Sequence, residues 1–313
     1  MTDGVAGGAP MPERADVGTV IERTLAGLWR EWRAVLVAAA VLGVIGLASG
    51  LLIQPMMMRE MVALSADAAS ISPRFIVGAS VVALLASLVC TAVMVAAMRS
   101  AFTPGEPVRL RFGGTELRVL ATMLLLGLGI YLLMVVAMIV LIAVAAAAGA
   151  ALGGVGILVA IVAGLLALIV PFAALYCGVR LSLAVPLAAQ RGRFAVREAW
   201  RLGRGRFWFL FLAYILLFLM GLVALVPGLT VQMGDMTAVM AAGQDPVAVQ
   251  RAWAELAAAH SGAGRPLFLL GVVLSGLGNG VLLALQGRMS AELVLAIQAE
   301  TAMAGVQPIG RPA

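Results

Sequence analysis

The chain has 313 residues, 63% of them hydrophobic and 12% charged, with a mean hydropathy of +1.09. That leaves too little polar surface to cover the apolar volume in water, so a soluble fold is excluded and a bilayer is the matching solvent. The formal net charge is +6 and all 21 bases are Arg; they stand beside apolar runs, so anionic lipid is the expected partner and nucleic acid is not.

Residues 1–15 carry acids, Gly and Pro without an apolar core, which reads as a short disordered lead and not as a signal peptide. A single membrane domain is expected from 16 to 313. From Val17 the pattern is amphipathic. Val17, Val20, Ile21, Thr24, Leu25, Leu28 and Trp32 share a face, and Glu22, Arg23, Arg30 and Arg33 oppose them. With Asp16 as N-cap, this predicts an interfacial helix over 17–33 leading into the first span.

A spanning helix needs roughly 20 mostly apolar residues. Six stretches meet that length, at about 34–54, 75–98, 119–146, 156–179, 208–231 and 267–287. The expected fold is therefore all-α, a polytopic membrane bundle of about six transmembrane helices, with amphipathic interfacial helices before spans 1 and 5. Pro55 and Pro73 bracket the first short loop. Only the uncharged stretch AAAAGAALGGVG separates spans 3 and 4, which reads as a tight hairpin. Pro171 falls inside span 4, where a membrane helix tolerates it as a kink.

Between spans 4 and 5 lies the most charged stretch of the chain. It holds Arg180, Arg191, Arg193, Arg197, Arg201, Arg204 and Arg206 against one acid, Glu198. At about 100° per residue, Arg193, Arg197, Arg201 and Arg204 occupy one sector, with Val196, Ala199, Trp200, Leu202 and Gly203 on the far side. This predicts a basic helix at the headgroup–acyl boundary, and Arg193, Arg197, Arg201, Arg204 and Trp200 are the candidate lipid-headgroup interface.

The long loop over 232–266 contains Asp245-Pro246, a good N-cap and N1 pair, ahead of a short helix on which Trp253 is expected to rest at the interface. The chain continues in helical pattern from Arg288 to Glu300 beyond span 6. A weak repeat recurs, in pattern more than identity: a basic interfacial segment precedes spans 1, 3 and 5. Alternate loops carry 17 Arg on one side and 4 on the other, which puts both termini in the cytoplasm.

Catalytic motifs are not found. His260 is the single histidine and has no Cys or carboxylate cluster beside it, whereas zinc takes three or four N, S or O ligands. GxSxG, P-loop and HExxH patterns are missing too. No catalytic, cofactor or metal residue is assigned. In span 6, Gly276, Gly278, Asn279 and Gly280 mark either close helix packing or a helix broken for a ligand, and packing is the stronger reading. Ser275, Asn279 and Gln286 are candidates for interhelical hydrogen bonds, and Arg288 and Glu292 for an i,i+4 pair near the inner surface. Met56, Met57 and Met58 read as apolar filler ahead of a copper(I) site, and Cys90 and Cys177 as buried reduced thiols.

The stretch VRLSLAVPLAAQRGRFAVREAWRLGRGRFWFLF, Val179 to Phe211, resembles the signature of the glycerophosphoryl diester phosphodiesterase membrane domain family and its uncharacterised bacterial relatives. The opening from Val17 to Arg33 resembles that family's interfacial lead. The likeness covers most of the chain as architecture and about 30 residues as motif. It implies a six-span inner-membrane domain. The phosphodiesterase of the name resides in a separate soluble barrel fused to some members. This chain is expected to lack it, so that activity is not carried over.

These readings converge on a non-enzymatic integral membrane protein of the bacterial inner membrane, a scaffold or accessory factor of the cell envelope. Its expected partners are anionic membrane lipids and a possible membrane protein. The alternative is a transporter or lipid-handling protein with a cavity among the spans. Reporter fusions at Ala313 and near Gln244 test the threading: the first is expected to report cytoplasm and the second periplasm, and a periplasmic C-terminus overturns the orientation.

Overall fold

The fold comes from a computed structural model that describes residues 16–303 apart from 54, 58–59, 61–71, 105–109, 111, 153–154, 244 and 262–264. The expected lead at 1–15, Met58 of the Met run, and Arg14, Arg59, Arg109, Arg111 and Arg311 of the charge count lie outside the described residues, as does the side chain of His260.

The described helices are α1 (Val17–Arg30), α2 (Trp32–Leu52), α3 (Pro73–Phe102), α4 (Gly114–Leu152), α5 (Val155–Leu181), α6 (Ala184–Arg191), α7 (Val196–Leu202), α8 (Phe207–Ala241), α9 (Pro246–Ser261) and α10 (Arg265–Met303). No strand occurs among the described residues. Among the described residues, six segments are long and apolar enough to cross a membrane: Trp32–Met57, Pro73–Phe102, Gly114–Ala143, Ile169–Arg191, Phe207–Thr230 and Pro266–Met303. The protein is an all-α, multi-pass membrane protein.

Local chemistry sets the helix ends. Glu31 interrupts the chain between α1 and α2 with φ −106° and ψ 21°. Ser72 accepts the Phe75 N–H at 3.3 Å and Pro73 follows at the first helical position, so α3 starts where the sequence places a stop and restart. Gly113 N–H donates to Glu116 at 3.0 Å, one arm of a capping box at the head of α4. Asp245 accepts the Val247 N–H at 3.0 Å and caps α9 as expected.

Four local expectations change. Pro55 does not close the first helical segment, because residues 55–57 are again helical. The Gly/Ala stretch is mostly helix too: α4 continues to Leu152 and α5 starts at Val155, since alanine holds a helix as readily as a leucine run does. Much of the loop expected at 232–266 is also helical, as α8 runs on to Ala241 through Pro227 and α9 follows. On α9, Ala252 and Leu256 are buried and Trp253 is half-buried. Cys90 and Cys177 are free and half-buried, less enclosed than expected.

The chain divides into two compact units, one of residues 1–23, 113–214 and 290–313, the other of 24–112 and 215–289. In the first, α4 and α5 pack along each other and α6 lies against α4. Leu183, Ala184, Leu187 and Ala188 at α6 are wholly buried. The second unit is assembled on α10. A Cβ added at Gly276 would sit 2.7 Å from the Gly43 Cα and from the Leu42 carbonyl of α2, and one at Gly280 would strike the Ala39 backbone. On another side, a Cβ at Gly278 would strike the Ala224 carbonyl of α8. Backbone therefore lies on backbone, which is how small residues hold membrane helices together.

Of the two readings of this glycine run, close packing holds: α10 passes through 276–280 as unbroken helix. Asn279 departs from its expected role. It is exposed and donates to the Ser275 carbonyl of its own helix at 3.0 Å, because residue 279 points away from the faces that 276, 278 and 280 present. Gly276→Ala or Gly280→Ala is expected to lower the thermal unfolding temperature in detergent, at a cost of about 1–3 kcal/mol or more. Gly127→Ala, which meets nothing within 4 Å, is expected to leave it unchanged or higher.

Candidate functional site

In the first unit the arginine-rich stretch takes a shape the angular pattern did not anticipate. Gly192 adopts φ 64°, donates to the Ala188 carbonyl at 3.0 Å and ends α6. Arg193 and Phe194 follow outside any helix, α7 is only 7 residues long, and Arg204 lies in the turn after it. The single helix expected across 193–204 is thus a turn, a short helix and a turn. The glycines are the physical reason: Gly192 and Gly205 hold positive φ, and a Cβ at Gly203 would press on the Arg180 carbonyl at 3.2 Å.

Arg193, Arg197, Arg201 and Arg204 are nevertheless all exposed. Of the side expected to be apolar, Ala199 and Gly203 are buried, Leu202 is half-buried, and Val196 and Trp200 remain exposed. Trp200 has a partner for its inner face. Its ring lies 4.0 Å from the guanidinium carbon of Arg180, which is itself only 6% exposed. Arg180 donates from Nη1 to the Tyr176 hydroxyl at 3.0 Å and from Nη2 to the Trp200 carbonyl at 2.9 Å. One side chain at the end of α5 thereby holds α7 by a stack and a backbone hydrogen bond. A desolvated cation–π contact of this kind is worth up to about 2 kcal/mol.

The remaining arginines of the stretch are also committed. Arg191 pairs with Glu198, the lone acid. Arg206 donates to Glu300 at 3.2 Å and to the Leu202 carbonyl. Three of the seven arginines thus build the platform and four line its exposed rim. Tyr176, Trp200, Phe207, Trp208 and Phe211 form a chain of ring contacts beside it, in the manner of an aromatic belt at a membrane–water boundary. Ile130 and Met134 of α4, residues of α5 from Pro171 to Val179, Ser182 just after it, and Tyr214 border an apolar hollow of about 390 Å³. Pro171 is exposed there within continuous helix.

The second unit holds a polar cluster that sequence reasoning missed. Arg288 is 3% exposed and donates from Nη1 to Glu31 at 3.0 Å and to the Ser100 hydroxyl at 3.1 Å. Its guanidinium lies on Gly27 of α1, where any Cβ would overlap it. Glu31 is the residue that separates α1 from α2, so the ion pair sits at their junction. Next to it, a cleft of about 300 Å³ opens between α2 and α3. The sequence clue available was Glu31 itself, an acid between two apolar-faced helices. Among the described residues, no three His, Cys, Asp or Glu side chains cluster as a metal site would require.

No protein-family model, curated protein or solved structure matches this chain.

The two ends of the buried pair differ in exposure, 3% for Arg288 against 21% for Glu31, and this sets an asymmetry. Glu31→Ala removes a carboxylate to which the enclosed guanidinium donates and is expected to lower stability by about 1–3 kcal/mol. Arg288→Met leaves a carboxylate that can turn toward water and is expected to cost less. Chemical unfolding of both variants and of the double variant in micelles checks this, with the double expected to be more stable than Glu31→Ala alone.

Proposed function

We propose that this is a multi-pass protein of the bacterial cytoplasmic membrane with both termini inside, a non-enzymatic scaffold or accessory factor of the cell envelope. Its arginine rim seats on anionic headgroups of the inner leaflet. The observation that carries the reading is the division of labour among the arginines. Arg180, Arg191 and Arg206 are spent on holding the platform, while Arg193, Arg197, Arg201 and Arg204 are left exposed on it. Exposed arginine above an aromatic belt is the arrangement that meets phosphate at a membrane surface. The 17-to-4 arginine asymmetry supports the orientation, and the resemblance to the six-span membrane domain family supports the inner-membrane setting. A scaffold fits the direct backbone packing of α10 at mid-length in its unit.

A second reading, a lipid-handling protein with a cavity among the spans, is favoured by one observation, the apolar hollow bordered by Pro171 and Tyr214. Substrate passage along that wall would require the hollow to continue across the membrane.

Replacing Arg193, Arg197, Arg201 and Arg204 together with Gln tests the first reading. At about 1 kcal/mol per base near an anionic surface, the variant is expected to lose much of its co-purifying anionic lipid and its stabilisation by anionic bilayers. Thirteen inner arginines against 4 remain, so orientation is expected to survive. Unchanged lipid retention and thermal stability in anionic bilayers would reduce the rim to a topology signal.

A further inference from the structure

The cleft between α2 and α3 is lined by alanine where most spans carry larger side chains: Ala34 and Ala38 on α2, Ala96 and Ala97 on α3, and Ala284 of α10 as floor. Single methyl groups on facing helices leave a gap, and here the gap reaches about 300 Å³, the lower end of the range of small-molecule sites. Its walls are apolar and its polar groups gather at one end, where Glu31, Arg33 and Ser100 stand. From Ser100 to Val93 the α3 wall descends seven residues, or about 10 Å at 1.5 Å per residue.

The depth of the mouth is fixed by its neighbours. Trp29 is 83% exposed, Trp32, Arg30 and Arg33 are exposed as well, and the Arg33 guanidinium stands 5.5 Å from the Trp32 ring. Trp and Arg together at the start of a span mark the headgroup level, so the cleft runs from there into hydrocarbon. An apolar hollow at that depth does not hold water, because water there would lack polar partners. An alkyl chain matches its apolar walls. Charge selects the head: Glu31 is committed to Arg288, which leaves the positive charge of Arg33 facing the mouth.

We propose that this cleft seats one anionic glycerophospholipid, with an acyl chain between α2 and α3 and its phosphate on Arg33. The seat shares no residue with the arginine rim of the first unit, so the two stand or fall separately.

The test uses the full chain, purified and reconstituted with phosphatidylglycerol or phosphatidylethanolamine bearing a photoreactive acyl chain, with labelled peptides located by mass spectrometry. Phosphatidylglycerol is expected to label Ala34–Ala38 and Val93–Ser100 in preference to phosphatidylethanolamine. Ala34→Leu and Ala96→Leu, on opposite walls, are each expected to cut that label by about fivefold or more. Ala40→Leu on the exposed face of α2 is expected to leave it unchanged. Arg33→Gln is expected to keep the cleft label and remove the preference between the two lipids. Label spread evenly over the exposed spans, or insensitive to both wall substitutions, overturns the seat. Cleft label without headgroup preference in the unaltered chain overturns the anionic assignment. Loss of the rim arginines is expected to leave the cleft label in place.

Discussion

The contact on which the second unit depends is backbone against backbone along α10. Inside a bilayer, lipid tails are as apolar as leucine, so helices gain little by exchanging lipid for each other unless they approach closely. Glycine at 276, 278 and 280 permits that approach on two sides of one helix, toward α2 and toward α8. Leucine packing at those positions would hold the helices a side chain apart, and dispersion contact falls steeply with such a gap. The lateral faces of α2, α8 and α10 are left for lipid, which explains why so many large apolar residues, among them Val44, Phe218 and Leu270, stand exposed.

Charge is placed by the same economy. Among the described residues two arginines are enclosed, and they bond in different ways: Arg288 donates to a carboxylate and a hydroxyl, while Arg180 stacks on a ring and donates to two neutral oxygens. The planar guanidinium permits both solutions, since it stacks on an aromatic face while its edge donates. An ammonium has no plane to stack and meets a ring only as a point charge. An arginine-only complement of bases suits a protein whose buried cations have to stack and fork.

The spans were legible in the sequence because each is a run of apolar residues about 20 long, a property that needs no tertiary context. The start of α3 at Pro73 and of α9 at Asp245-Pro246 were legible because caps are local. The shape of the rim was not, although its glycines were in plain view. Periodicity places Arg193 and Arg204 on one face only if the helix between them is whole, and Gly192 ends it. The roles of Arg180 and Arg288 were illegible for a different reason. Nothing within a helical turn of Arg288 names Glu31, and Trp200 reaches Arg180 only because α7 folds back on α5.

The Glu31–Arg288 bond joins residues 257 positions apart. During synthesis Glu31 enters the membrane boundary with α2 long before its arginine has been made. Gly43, whose partner is Gly276, waits in the same way. The first span therefore has neither its counter-charge nor its closest neighbour until the last span arrives, and the second unit reaches its final packing only when the last span is in place. Truncated or stalled chains would present an unpaired acid and an uncovered glycine face together, the kind of exposed, unfinished surface that membrane quality control recognises.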